Sequence, residues 1–388
     1  MTSRRAYETT HPWISFRVSL ERAPARLWLL LGEAISKCEH ISNVPLKPQT
    51  ARELHRIYLA KGVHATTAIE GNTLSEQDVR RRIEGDRKLP PSKAYLGREV
   101  DNVLRACNDL ILKDLTEGRS SRLDVARIKL FNRLVLSGLS LDDAVVPGEI
   151  RGHSVCVGRY RAAPAEDCEF LLERLCDMLN EPQTRNLEGA AKAIVLAIIA
   201  HLYIAWIHPF GDGNGRTARL VEFQLLVSAG LPMPAAHLLS DHYNQTRSEY
   251  YRQLDHASRS KGEVVPFVIY AVQGLVDGLR TQIEMVRFHQ WEVAWQNFVH
   301  EAFGDSQRLS AVDLRRLRLV LDLSDEHEPV PYHEIANISP RLAKAYAGRT
   351  SRTLSRDLSE VVCRDLVKRT PAGYRAAKEQ VLAFLPLR

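Results

Sequence analysis

The chain has 388 residues, 45% hydrophobic and 26% charged. That balance suits a folded protein of two or three domains and excludes long disorder, collagen-like repeats and low-complexity sequence. Net charge is only +6, and the six cysteines form no C-x-x-C pair and no zinc-like cluster with histidine, which predicts reduced thiols and a cytoplasmic location.

The opening MTSRRAYETTHPWISF lacks the apolar core of a signal peptide. Apolar spacings of three and four then predict helices over 19–39, 48–62, 75–86 and 94–115. Pro45 and Pro48 separate the first pair, and Pro90-Pro91 close an N-terminal helical region, 1–94. Within it, TTAIEGN at 66–72 reads on its own as a helix ending at Gly71 with Glu70 in its last turn. A carboxylate there opposes the helix dipole, which implies a compensating cation elsewhere. Helices continue over 122–137 and 166–180. Between them, Val155 and Val157 alternate with polar residues beside a Gly158-Arg159 turn, either a small hairpin at 152–164 or a plain surface loop. A long helix is expected from Leu187 to Ile207. Its uncharged run 193–207 has 15 residues and carries His201, short of the roughly 20 that span a bilayer, so it reads as a buried core helix without membrane contact. Helices at 216–229, 243–256 and 264–288 complete a region from 95 to 290.

From 305 to 388 the character changes. An amphipathic helix at 310–321, a short helix near 332–337, a third helix capped by Ser351 and a hairpin turning at Pro371–Gly373 make the pattern of a winged helix-turn-helix. Between 339 and 380 stand ten Lys/Arg and four acids, an excess equal to the net charge of the whole chain. Arg352 and Arg356 could face a DNA groove, with Arg349 nearby for phosphate contact and Lys368, Arg369 and Arg375 flanking the wing. The alternative is a solvated basic face on a module for protein contacts or homodimerisation.

The chemistry concentrates at 208–219, HPFGDGNGRTAR. Gly211, Gly213 and Gly215 let backbone N–H groups approach a ligand, and the loop opens a helix whose N-terminus favours anions. Arg216 and Arg219 share one helix face and suit a polyphosphate. Asp212 is a hard carboxylate fit for Mg²⁺, and His208 is placed to act as a general base. The Gly-Lys-Ser/Thr of a Walker loop is absent.

This stretch resembles the Fic family signature, H-x-F-x-[DE]-G-N-G-R-x-x-R, at every defined position. The resemblance implies an all-α protein: a Fic helical core with a small β-hairpin flap, an N-terminal helical region and the C-terminal winged helix-turn-helix. It implies AMP transfer from ATP, with Mg²⁺, to a Ser, Thr or Tyr hydroxyl of a target protein or of the chain itself. His208 would deprotonate the hydroxyl, Phe210 anchor the loop and Asp212 hold Mg²⁺. Asn214 and the N–H groups around Gly213 and Gly215 would hold the α-phosphate, with Arg216 and Arg219 on the β- and γ-phosphates. Gly215, where a Doc-type kinase carries Lys, favours nucleotidyl transfer. The 152–164 hairpin would be the family's flap, aligning a target segment. Tyr250 and Tyr251 sit where relatives carry aromatics near the base, though packing tyrosines would look the same. Thr66, Glu70 and Gly71 resemble the inhibitory motif [ST]-x-x-x-E-[GN], with Glu70 withdrawing Arg219 from the γ-phosphate. Two other readings remain: a DNA-binding regulator whose core senses nucleotide, and the same enzyme removing AMP.

Overall fold

The computed structural model describes residues 4–86, 88–117, 122–180, 188–304 and 309–382. Leu187, the expected start of the long helix, lies outside them, as do 305–308 and 383–388 of the C-terminal segment. The chain divides into two compact units, Met1–Ile283 and Glu284–Arg388.

In the first unit the helices are α1 (Tyr7–Thr10), α2 (Ala25–Asn43), α3 (Pro48–Ala68), α4 (Glu76–Ile83), α5 (Ala94–Arg105), α6 (Lys113–Thr116) and α7 (Val125–Val135). After the hairpin β1 (Cys156–Val157) and β2 (Tyr160–Arg161) come α8 (Cys168–Asn180), α9 (Gly189–Ile207), α10 (Asn214–Ser228), α11 (Met233–Ala236), α12 (Leu238–Gln245) and α13 (Arg247–Arg259). The unit boundary falls inside α14 (Val265–Phe303).

The core is built around α9. This helix is apolar on every side, from Ile194 to Ile207, so it can sit only where protein surrounds it. By length and composition it could cross a bilayer, yet 72% of its apolar window is buried in protein. It packs against α2, α8 and α10. Ser75 and Asp78 form a reciprocal capping box at α4, a start signal that periodicity alone does not use. The predicted 243–256 helix is two helices, because Thr246 departs from helical geometry (φ −113, ψ 38).

Helix α3 runs six residues beyond its predicted end, and this extension carries Thr66, Thr67 and Ala68 of the TTAIEGN stretch. Its course depends on Gly62. A Cβ there would lie 2.2 Å from His237 Nδ1, so the glycine lets α3 lie close to the junction of α11 and α12.

The second unit contains α15 (Ala311–Ser324), α16 (Pro340–Tyr346) and α17 (Ser351–Cys363), then the antiparallel hairpin β3 (Val367–Thr370) and β4 (Gly373–Ala376). Val330 bridges Tyr374 and adds one rung to this hairpin. Leu342, Leu354, Leu358 and Val361 close a core with Trp295 and Val320. Two local expectations are corrected. The helix expected near 332–337 is only the 3-10 turn Ile335–Asn337, and the full helix starts at Pro340. The reason is local: the Ser339 hydroxyl accepts the Leu342 N–H at 3.1 Å, and Pro340 suits the first helical position. Ser351 is the first residue of α17, not its cap; Thr350 holds the cap position without a side-chain bond.

Gly62→Ala should cost about 1–3 kcal/mol, because the methyl group must displace a buried imidazole or the helix itself. Urea unfolding checks this; an unchanged midpoint would show that α3 has room to spare.

Candidate active site

Helix α9 ends at Ile207, and His208 follows in the left-handed conformation (φ 50, ψ 58). That geometry is uncommon for a residue with a Cβ and turns the chain sharply out of the core. Phe210 is 1% exposed and bridges Ile150, fastening the loop to the segment that leads into the flap. Asn214 closes the loop: its side-chain oxygen accepts the Phe210 N–H at 2.9 Å and its NH₂ donates to the Phe210 carbonyl at 2.8 Å. The amide side chain that the resemblance assigns to phosphate is therefore engaged in the loop itself.

Helix α10 starts at Asn214. The Asp212 carboxylate, 47% exposed, accepts the Gly213 N–H at 2.5 Å and the Arg216 Nη2 at 3.3 Å. Arg216 also reaches Glu99 at 3.4 Å. Arg219 is 2% exposed and donates through Nη2 to Glu70 Oε1 at 2.5 Å and to the Thr66 carbonyl at 3.0 Å. Among the described residues, Nε of Arg216 and both Nε and Nη1 of Arg219 are buried without a hydrogen-bond partner. Unpaired buried guanidinium donors are costly, and their convergence at a helix N-terminus marks an anion seat.

The Glu70 carboxylate already stands at this seat. A Cβ on Gly215 would lie 2.1 Å from Glu70 Oε1, so only glycine admits the carboxylate so close to the start of α10. Glu70 sits two residues past the end of α3, and Gly71 turns the chain away with φ +100. Burial alone would raise the Glu70 pKa, but the Arg219 charge beside it holds it below the usual carboxylate range. Two cations hold the backbone carbonyls at this helix end. Arg219 takes the Thr66 carbonyl, and Arg247 donates to the carbonyls of Ala68 and Ile69.

Burial pushes His208 down to about 4. The Ala205 carbonyl and the carboxylates of Glu70 and Asp212 oppose this, while Arg151 reinforces it. The ring is thus neutral at pH 7 and free to take a proton.

Two supporting residues carry no motif. Arg151, 4% exposed, donates Nε to the His208 carbonyl at 2.7 Å and its terminal nitrogens to the carbonyls of His153 and Ala163, both at 2.5 Å. It ties together the histidine, the end of α9 and both sides of the flap. Asn132, fully buried, donates to the Asp212 carbonyl at 2.8 Å and accepts the Gly148 N–H at 2.9 Å. The flap itself is the hairpin β1–β2, with Tyr160 donating to the Trp206 carbonyl at 2.8 Å.

A cavity of about 570 Å³ lies between the flap, the Ile69-Glu70 turn and the loop. Its walls include Val157, Tyr160, His208, Gly215, Tyr250 and Tyr251. Tyr251 is 43% exposed, whereas Tyr250 is buried and hydrogen-bonds His201 Nε2 at 2.8 Å. His201 reaches Glu222, which also accepts the Tyr243 hydroxyl at 2.8 Å, so Tyr250 ties the cavity wall to a buried polar network behind it.

Residues 122–226 match the sequence model of the Fic/DOC family. Protein adenylyltransferase fic-1 of Caenorhabditis briggsae is 33% identical over 60% of this chain and 42% of its own length. Protein adenylyltransferase Fic of Drosophila willistoni is 30% identical over 53% of this chain and 38% of its own. The chain thus spans about two fifths of the curated relatives it matches. A crystal structure of a Fic family protein from Desulfovibrio desulfuricans G20 shares the fold, with TM-score 0.54 and 22% identity over 91% of this chain and 95% of that one. Fic-1 (residues 134–508) of C. elegans aligns with TM-score 0.55 and 26% identity over 68% of this chain and 74% of that one.

Unfolded histidine titrates near 6.5, so lowering the pH from there toward about 4 protonates the unfolded chain first and removes stability. The His208 imidazole signals should keep their neutral positions from about pH 8 to about 5 in an NMR titration; a midpoint near 6.5 would contradict its burial. Arg151→Gln strips four carbonyls, those of His153, Ala163, Ile207 and His208, of charged donors and should cost about 2–4 kcal/mol in urea unfolding.

Proposed function

We propose that this chain transfers AMP from ATP to a hydroxyl of a protein, and that Glu70 holds the activity in check. The observation that carries the reading is the N-terminus of α10. There Arg216 and Arg219 present buried, partly unpartnered guanidinium donors beside a neutral His208, and a carboxylate stands where an anion would bind. The adenylyltransferase names of the relatives support the same chemistry.

In this reading the Arg216 and Arg219 forks and the backbone N–H groups at the start of α10 bind the phosphates and fix the α-phosphorus in line with the flap. The base enters the cavity beside Tyr251, with Tyr250 stiffening the wall. A target segment lies along the exposed flap and brings its hydroxyl to His208. The hydroxyl oxygen bonds to the α-phosphorus, the bond to pyrophosphate breaks, and the hydroxyl proton passes to the imidazole. Arg151 holds the His208 backbone while its charge resists protonation of the ring before attack. Asp212 fits Mg²⁺. Its carboxylate is half exposed at the mouth of the phosphate seat, and Mg²⁺ in phosphate sites needs one or two carboxylates plus water and substrate oxygens. When bound, the ion would neutralise charge on the phosphates.

Inhibition follows from competition for one cation. With Arg219 on Glu70, the outer phosphate has no fork to fix it, and ATP is misaligned for attack. A second reading draws on the same carboxylate. Glu70 is 31% exposed toward the cavity and could orient a water that removes AMP from a modified protein.

Glu70→Gly should raise incorporation of α-labelled phosphate into protein at least about 10-fold, while lowering the apo melting temperature because Arg219 loses its counter-charge. ATP should then stabilise the variant more than the wild type. His208→Ala in that background should lower transfer by roughly 10²–10⁴-fold with ATP binding retained. Equal labelling by wild type and Glu70→Gly would reject the inhibitory role. Loss of AMP from a pre-labelled target, only with Glu70 present, would favour the reverse reaction.

A further inference from the structure

The second unit carries a surface that AMP transfer does not use. Its helix α17 shows two faces. Leu354, Leu358 and Val361 enter the core, while Arg352, Ser355, Arg356 and Ser359 form an exposed stripe on the other side. These are side chains that donate to phosphates and base edges, and the stripe contains no acid.

The four acids between 339 and 380 do little to offset its charge. Asp357 is 1% exposed and faces inward, accepting Arg315 Nε at 2.6 Å, Arg316 Nε at 2.9 Å and the Tyr346 hydroxyl at 3.0 Å. Glu360 pairs with Arg364 at 2.9 Å, and Glu379 takes Lys368 at 2.7 Å and Arg375 at 3.0 Å. Asp365 is exposed, but it follows the far end of α17. Arg341 and Lys378 pair with Asp322 and Glu292. Among the described residues, Lys344, Arg349, Arg352, Arg356 and Arg369 are exposed and have no acidic partner. They come from the end of α16, the turn after it, the first two turns of α17 and the tip strand of the hairpin.

We propose that this unit is a winged helix-turn-helix that binds duplex DNA, with α17 in the major groove. The turn between α16 and α17 contains Gly348 at φ +68, and the Tyr332 hydroxyl donates to the Ser351 carbonyl at 2.9 Å, fixing where α17 begins. Asp357 bolts the inner face of α17 to α15 and α16, so the helix presents its arginines on a rigid frame. Arg352 and Arg356, one turn apart, face base edges in a groove about 12 Å wide. Lys344, Arg349 and Arg369 meet the flanking phosphates. Duplex RNA is the wrong partner, since its deep, narrow major groove does not admit side chains from a helix.

The test is fluorescence anisotropy of the full chain with a labelled 30-base-pair random-sequence DNA duplex. Three phosphate contacts predict a slope of log K against log salt of about −2.7, a loss of roughly 40-fold between 50 and 200 mM salt. The double variant Arg352→Ala/Arg356→Ala should bind at least about 10-fold more weakly at 50 mM with a nearly unchanged slope, because both side chains face bases and not phosphates. Its melting temperature should be unchanged, because both side chains are exposed. No binding to DNA at 50 mM salt would overturn the proposal, as would equal affinity of the double variant. Competition by polyglutamate or duplex RNA as strong as by DNA would also overturn it, and the polyglutamate result would assign the surface to an acidic protein.

Discussion

The first unit is organised around one buried cation with two claimants. Arg219 lies inside the protein, where a guanidinium cannot stand without an anion, and the start of α10 offers a place for only one. Glu70 takes it in the present structure. Much of the surrounding architecture serves that contact. Gly62 lets α3 run close to α11 and α12, Arg219 and Arg247 hold the carbonyls at the end of α3, and Gly215 leaves space above the helix for the carboxylate. The loop is built to be as rigid from beneath, by Asn132 and Asn214, as it is crowded from above. In the proposed reading, an anion brought by a substrate meets a preformed seat and displaces one charged group rather than assembling several.

The pieces legible in the sequence are those that are contiguous. The 208–219 stretch declares its glycines, its carboxylate, its histidine and its arginines within a few turns of chain. Glu70 is visible because its position at a helix end conflicts with the dipole, and the conflict asks for a cation. Arg151, Asn132 and Arg247 could not be found this way. Each acts on backbone carbonyls or N–H groups from elsewhere in the chain, and an arginine before a loop or an asparagine in an amphipathic helix carries no local sign of it. A buried polar residue inside an apolar stripe, such as Asn132 beside Phe131 and Ile128, is the one hint available. Asn214 adds a role that motif logic did not name: its amide closes the glycine-rich turn on Phe210. In the second unit the apolar spacing found the helices, but their starts depend on which serine reaches which N–H. Ser339 reaches one, and Ser351 does not.

The two units use arginine in contrasting ways, and burial decides which. In α10 the guanidinium groups are enclosed, their attraction for anions is strong, and leaving them unpaired is costly; such groups suit a small, highly charged ligand that must be held in register. In α17 the same residue stands in water, where each charge is weak and screened by salt, and only several acting together hold a partner. Buried pairs such as Asp357 with Arg315 and Arg316 belong to neither use. They set the frame on which the exposed charges stand.

Gly215 and Glu70 also constrain how this protein could have changed over time. Any side chain at 215 would collide with the carboxylate, so while Glu70 remains, that glycine cannot drift. Once Glu70 is lost, the obstacle goes with it, and position 215 becomes open to residues that would then bar the glutamate from returning. The history of the pair thus has a preferred order and a ratchet. A lineage can lose the Glu70 carboxylate in a single substitution, but regaining it after the neighbouring position has grown would take two changes, the first of them without benefit.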